Sequence, residues 1–307
     1  MIQFERKKVN NKPYFYLAEQ VKIGEKTKKI QVFVGKIIPK DLRGYFMSLR
    51  DKETELTNTV IVKSGLTAKY LKNYSLSKIE TARIQWKYNK SQLTDAQLSR
   101  LIRDLAIRFI FESNAIEGSR LAESEVAAIV QRKYVKKTLP ASEVIEVENS
   151  IRCFDVINTS GFTLNHKNII ALHEQLVLGL GIPTGFKKQQ IVVNNKNTTD
   201  PKKVRKELTE LISWYKKEKK NMHPFERAVI FHNRFERIHP FTDGNGRVGR
   251  LLLNWMLKES GYGYILIKNS NRTAYTNALN KGDIGTYRNM LLLCAKAYKE
   301  TIDDLVP

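Results

Sequence analysis

The chain has 307 residues, enough to bury a sizeable core and to hold one main domain with an appendage. Its 53 Lys and Arg against 31 Asp and Glu leave a formal charge of +22, while a hydrophobic content of 42% is ordinary for a globular protein. No apolar run approaches a membrane span, Met1 to Arg6 open no signal-peptide core, and the two cysteines have neither disulfide-framework nor metal spacing; a cytoplasmic protein with Cys153 and Cys294 as core thiols is expected.

Residues 2–9, 13–22 and 28–35 alternate and are rich in Val, Ile, Tyr and Phe, with Asn10-Asn11 and Gly24-Glu25 between them. This pattern predicts a three-stranded antiparallel meander. Helical spacing starts after Pro39, first over about 42–56 and then over about 65–87. From Thr94 an apolar stripe of Leu98, Leu101, Ile102, Leu105 and Phe109 predicts a strong helix, closed by Ser113-Asn114-Ala115-Ile116-Glu117-Gly118. Further helices are predicted at 121–133, 141–158, 166–179, 201–219, 224–238, 247–260 and 272–280, with a last one at about 286–304. Between 181 and 200 the pattern differs: Gly181-Ile182-Pro183-Thr184-Gly185 and then Gln190 to Asn195 read as a short β-hairpin before the helix start at Asp200-Pro201. The fold class is therefore mainly α, with three stretches: 1–60, a basic meander plus helix; 61–120, a helical segment; and 121–307, a helical core with its hairpin at about 186–197.

Residues 1–90 hold 20 Lys and Arg against 8 Asp and Glu, an excess of 12. Such a balance suits nucleic acid or an acidic partner, and it equally suits plain solvated faces. No run interleaves basic residues with aromatics as a stacking platform does. The meander edge has an alternative use as a homo-oligomer contact.

The densest chemistry lies at His239-Pro240-Phe241-Thr242-Asp243-Gly244-Asn245-Gly246-Arg247-Val248-Gly249-Arg250. Pro240 breaks the preceding helix at His239, and an apolar helix follows and stops at Gly261. A loop opening into a helix presents unpaired N–H groups and the positive end of the dipole, and the glycines let backbone approach a ligand. This is an anion cradle, with phosphate as the favoured anion. His239 is either a structural imidazole or a general base for an attacking hydroxyl. Asp243 is an N-cap, a Mg²⁺ ligand, or both at different moments. Asn245 is placed to donate its amide to a phosphoryl oxygen. Arg247 and Arg250 share a face near the helix start, where two cations are costly without an anion, although one of them is expected to pair with a carboxylate.

These twelve residues resemble the signature of the Fic (Fido) family, His-Pro-Phe-x-Asp/Glu-Gly-Asn-Gly-Arg-x-x-Arg, at every defined position. Pro224-Phe225-Glu226-Arg227-Ala228, His232, Tyr275 and Ala278-Leu279 agree with the flanks, and the likeness covers roughly 95–300. It implies a Fic-type helical bundle with a β-hairpin flap, and a nucleotidyltransferase that moves AMP from ATP, the co-substrate, to a Ser, Thr or Tyr hydroxyl of a target protein or of itself. His239 would be the general base and Asp243 the Mg²⁺ ligand. Gly244, Asn245, Gly246 and Arg247 would hold phosphates, with Arg250 on the γ-phosphate. The kinase variant carries Lys where Gly246 stands, which argues against phosphoryl transfer. Ile191, Val192, Val193 and Asn194 would form the flap that registers the target backbone, though an ordinary connecting hairpin would look the same. Tyr275 and Asp283 would face the adenine, unless Tyr275 is simply core. Ser113, Glu117 and Gly118 resemble the family's inhibitory motif, so that Glu117 would pair with Arg250 from an N-terminal helix of the same chain. The alternatives are removal of AMP at the same site, a bifunctional enzyme, transfer of another nucleotide-linked group, and a nucleic-acid-associated protein recruited through the basic N-terminal part.

Overall fold

The computed structural model describes residues 2–23, 26–64, 68–133, 138–159, 161–193 and 196–305. Strands β1 (Gln3–Val9), β2 (Lys12–Ile23) and β3 (Lys26–Gly35) form the expected antiparallel meander in the order β1-β2-β3. Asn10 and Asn11 both adopt positive φ, 50° and 58°, as a two-residue turn matched to strand twist requires, and Asn tolerates that region better than most residues. Gly24 and Glu25, expected at the second turn, lie outside the described residues.

The inner face of this sheet carries Leu17, Val21, Ile30 and Val34, which pack on Leu49 of α1 (Arg43–Ser64) and on Ile84 and Tyr88 of α2 (Asn73–Gln92). Two buried carboxylates lie in this small core. Lys87 Nζ stands 2.7 Å from both Glu19 and Glu53, so neither is stranded in a low dielectric. α1 runs eight residues beyond the predicted end at Leu56, so residue 60, the predicted edge of the first stretch, falls inside it. The start of α2 was predicted at Gly65, outside the described residues; the helix is described from Asn73.

α3 (Asp95–Glu117) begins with a capping box, Thr94 and Gln97 satisfying each other's backbone N–H, and ends on Gly118 at φ 109°. Then come α4 (Glu123–Val130), α5 (Ala141–Asn158), α6 (His166–Leu176), the hairpin β4 (Val192–Val193) and β5 (Lys196–Asn197), and α7 (Val204–Lys217). α8 (Pro224–Ile238), α9 (Asn245–Glu259), α10 (Arg272–Gly282) and α11 (Arg288–Leu305) complete the chain. The helices α8 and α9 pack together at the centre. α7, α10 and α11 lean on α8, and α3, α5 and α6 lean on α9. Phe225, Phe231, Phe235, Val248, Leu252 and Met256 are fully buried there, and one core runs from Ile61 to Leu305. Cys153 and Cys294 are buried free thiols within it. Among the described residues no helix is long and apolar enough to cross a membrane.

Candidate active site

The α8–α9 junction is where the helical core meets solvent. α8 stops at His239 because Pro240 has no N–H to extend it, and His239 itself sits at φ 52°, ψ 64°. A non-glycine residue in the left-handed region is held there by its surroundings. Phe241 supplies the anchor: it is fully buried and stacks on His173 of α6, ring centroids 3.8 Å apart and 7° between planes. His173 Nε2 donates to the Asp243 carbonyl at 3.0 Å, and burial lowers this imidazole to about 4, so it is neutral. Lys187, at the base of the hairpin, gives its N–H to the Pro240 carbonyl at 2.9 Å and its ammonium to Thr198 Oγ1. One residue thus ties the loop to the hairpin.

Asn245 departs from expectation. Its carboxamide turns inward, accepting from Phe241 N–H and donating to the Phe241 carbonyl, both at 2.9 Å, and it is 1% exposed. Its side-chain amide is spent on holding the loop, so a phosphate must be met by backbone N–H groups instead. α9 begins two residues before the predicted start, with Gly244 at φ 77° and no side-chain cap. The N–H groups of its first turn have no intrahelical acceptor, which is the physical content of an anion cradle.

Arg247 and Arg250 both pair with carboxylates, where one was expected to. Arg247 lies 3.1 Å from Glu146 and 3.7 Å from Asp243, and its buried Nε has no hydrogen-bond partner among the described residues. Arg250, 2% exposed, donates from Nε to Ser113 Oγ and from Nη2 to the Ser113 carbonyl, both at 2.9 Å, and from Nη2 to Glu117 Oε1 at 2.6 Å. Burial works against the Glu117 charge, but the Arg250 guanidinium outweighs it and the carboxyl is lowered. A Cβ on Gly246 would fall 2.2 Å from Glu117 Oε1 and 3.0 Å from Arg250 Nη1. Glycine at 246 therefore makes room for this ion pair.

His239 is lowered to about 4, chiefly by burial, with the Glu236 carbonyl opposing. Its Nδ1 faces that carbonyl at 3.3 Å, which places the proton on Nδ1 and the lone pair on Nε2. Asp243 is 61% exposed; its Oδ1 accepts from Gly244 N–H. One open carboxylate of this kind suits Mg²⁺, which keeps most of its waters and takes the rest of its shell from substrate phosphate. Among the described residues no group of three or more His, Cys, Asp or Glu is gathered to hold an ion by itself.

The stretch 163–257, from just before α6 almost to the end of α9, matches the model of the Fic/DOC family. These residues are a Fic domain. The chain is 30% identical over 216 residues to the protein adenylyltransferase Fic of Nematostella vectensis, an alignment covering 67% of this chain and 50% of that one. The chain thus spans about half the length of that curated relative. A Fic domain containing signalling protein from Bacteroides thetaiotaomicron superposes with a TM-score of 0.69 over 75% of this chain and 95% of its own, at 21% identity. Fic-1 from Caenorhabditis elegans superposes with a TM-score of 0.67 over 87% and 78%, also at 21% identity. At these identities the two structures establish the shared fold.

The Fic domain contains His239 to Arg250, whereas Ser113 and Glu117 of α3 and its cap Gly118 lie outside the matched stretch, and the fold brings Ser113 and Glu117 onto Arg250. Ile191, Val192 and Val193 lie on the hairpin, with Val192 59% exposed and Lys196 bonded to Asn280 of α10; Asn194 is outside the described residues. Tyr275 is 3% exposed, its hydroxyl 2.7 Å from His232 Nε2, and Asp283 lies beside the Asn233 amide at 3.4 Å. Four contributors escaped the sequence reading: His173, Lys187, Glu146 and Glu236. His173 carried a signal, an imidazole on the same helical face as Ile169, Leu172 and Leu176. Glu236 is the least expected, a largely buried carboxyl pushed up to about 8 by burial, its Oε1 without a hydrogen-bond partner among the described residues. A Cβ on Gly249 would lie 2.3 Å from it.

Proposed function

We propose that the chain is a protein adenylyltransferase that transfers AMP from ATP to a Ser, Thr or Tyr hydroxyl, on a target protein and on itself, and that Glu117 holds it in check. Nε2 of His239 takes the proton of the incoming hydroxyl. That oxygen then bonds to the α-phosphorus, the α–β bond breaks, and pyrophosphate leaves. The first-turn N–H groups of α9 and Arg247 receive the charge that grows on the phosphoryl oxygens. Mg²⁺, held by Asp243, would neutralise the oligophosphate when bound. Val192 and Val193 would present a strand edge to the target backbone, which registers a hydroxyl without sequence-specific pockets.

The contact that carries the regulatory half of this reading is the 2.6 Å bond from Arg250 to Glu117. With Nε and Nη2 committed to Ser113 and Glu117, the guanidinium would be turned from a γ-phosphate and ATP would sit in an unproductive pose. Because both partners belong to one chain, the restraint is intramolecular. The same carboxylate acts electrostatically on His239, a neighbourhood that suits water activation, so removal of AMP from a modified protein is a second reading of the same site.

Incubation with Mg²⁺ and ATP labelled at either the α- or the γ-phosphate tests the proposal. Label from the α-position alone should enter the Glu117→Gly chain, faintly the wild type, and not His239→Ala. Incorporation from the γ-position would mean phosphoryl transfer and would overturn it.

A further inference from the structure

We infer that the outer face of the meander is a binding platform for single-stranded nucleic acid, independent of the Fic site. The strand register puts Tyr14 and Tyr16 of β2 and Phe33 of β3 on this face: Tyr16 pairs directly with Phe33, and Tyr14 lies two residues along the same strand. The rings form one cluster, with Phe33 centred 5.4 Å from Tyr16 and 5.9 Å from Tyr14. α1 and α2 cover the opposite face, and Phe33 stays 54% exposed. On the edge strand β3, Phe33 packs one side on the two tyrosines and leaves much of its ring open to solvent.

The charge around it is predominantly positive. Residues 1–36 hold nine Lys and Arg against three Glu. Of the three, Glu19 is buried on the inner face against Lys87, and Glu5, opposite Tyr16 on the outer face, is paired with Lys29. Lys7 stands 4.6 Å above the Tyr16 ring and also donates to Gln31 across β2, which keeps a cation fixed beside the aromatic surface. Exposed Lys12, on the same face of β2 as Tyr14, and exposed Lys36, just past β3, make no ion pair among the described residues. No linear run shows this arrangement, because Lys7 of β1 and Phe33 of β3 join Lys12, Tyr14 and Tyr16 of β2 only across the strand register.

Aromatic faces for bases and ammonium groups for the backbone are what sequence-tolerant binding of unpaired strands requires. An acidic polypeptide would use the lysines and leave the rings idle. A duplex keeps its bases stacked on one another, away from the rings.

The test is fluorescence anisotropy of labelled oligouridine and oligothymidine, each about 12 nucleotides, with the full chain. Saturable binding of either strand is expected, with log K falling against log salt by about 0.7 for each phosphate contacted. The Tyr16→Ala/Phe33→Ala chain, shown folded by circular dichroism, should bind more weakly by roughly a factor of five to a hundred for each ring lost. Phe33→Trp should keep the affinity, and its added indole emission should be quenched by the strand. Absence of binding near 50 mM salt, unchanged affinity in the double variant, indole emission of the Phe33→Trp chain that the strand leaves unquenched, or displacement by polyglutamate as efficient as by unlabelled strand would each overturn the proposal.

Discussion

Arg250 has one guanidinium, and the proposed mechanism gives it a second use. In this structure Ser113 and Glu117 hold it, and it is so deeply buried that a partner is obligatory, since a stranded charge of this kind is among the costliest features a core can contain. In Glu117→Gly, therefore, ATP should be taken as the replacement partner. A larger thermal shift with Mg²⁺ATP than in wild type, together with greater self-labelling, is the expected result; equal shifts would remove Glu117 from control of the pocket. Loss of His239 in that background should cost about 10²–10⁴ in rate. The pH profile follows from the buried imidazole. Its pKa is lowered to about 4, so the base form persists as pH falls through 6.5 and is lost only near 4. Glu117 is one of the groups that raise it, so the Glu117→Gly chain should keep its rate to still lower pH; an acid limb at 6.5 would contradict the assignment. Glu236 makes the opposite case. Raised to about 8 from 4.5, it holds a proton in the folded chain that the unfolded chain has lost between those values. It therefore lowers stability progressively as pH rises across that window. Glu236→Gln, which mimics the protonated form, should remove that component, seen as a flatter dependence of the urea midpoint on pH than in wild type.

Elements were legible wherever one face is apolar. α3, α5, α8 and α11 sit within a residue or two of the predicted ranges, and the meander pairs as its alternation requires. The Fic signature was readable because chemistry packs twelve consecutive positions. What stayed hidden was long-range: α1 and α2 were expected but show weak apolar stripes, since the buried face of α1 includes Glu53 and Thr57 and α2 is divided between two cores. For the same reason no local pattern reveals that Asn245 faces inward, or that His173 and Lys187 brace the loop. The tie between the N-terminal segment and the Fic domain was equally invisible. Glu226, in the first turn of α8 and fully buried, accepts three backbone N–H groups, from Lys69, Tyr70 and Leu71, at 2.7–2.9 Å. Removing that acceptor strands three donors at once. Glu226→Ala should lose at least about 3 kcal/mol in chemical denaturation, and a loss under about 1 kcal/mol would show that water replaces the carboxylate at little cost.

At the scale of the molecule, the question is whether the meander unit is an appendage or part of one folding body. α2 is shared. One side of it meets the sheet through Ile84 and Tyr88, and the other enters the main core through Leu76, Ile79 and Trp86. Trp86 packs edge-on against Tyr264, and the chain passes beneath its indole at Gly263, where a Cβ would come within 2.8 Å of Nε1. Beside it Glu80 accepts from Tyr262 at 2.5 Å and from Arg83 at 2.7 Å, with His223 at 3.3 Å. Burial opposes this carboxylate, but Arg83 and His223 hold it well below the usual range. Its folded value is depressed, so its contribution is present above the unfolded value of 4.5 and is lost as pH falls below it. A joint built from apolar packing and a satisfied buried charge makes the two cores unfold together at neutral pH. Two chains retaining a single tryptophan each, Trp86 in α2 or Trp255 in α9, should give coincident urea transitions. At acid pH, where Glu80 takes up a proton, the Trp86 transition should move first. Separate transitions at pH 7 would mean that the sheet and its helices fold on their own, and that the Glu226 and Glu80 contacts dock one finished body on another.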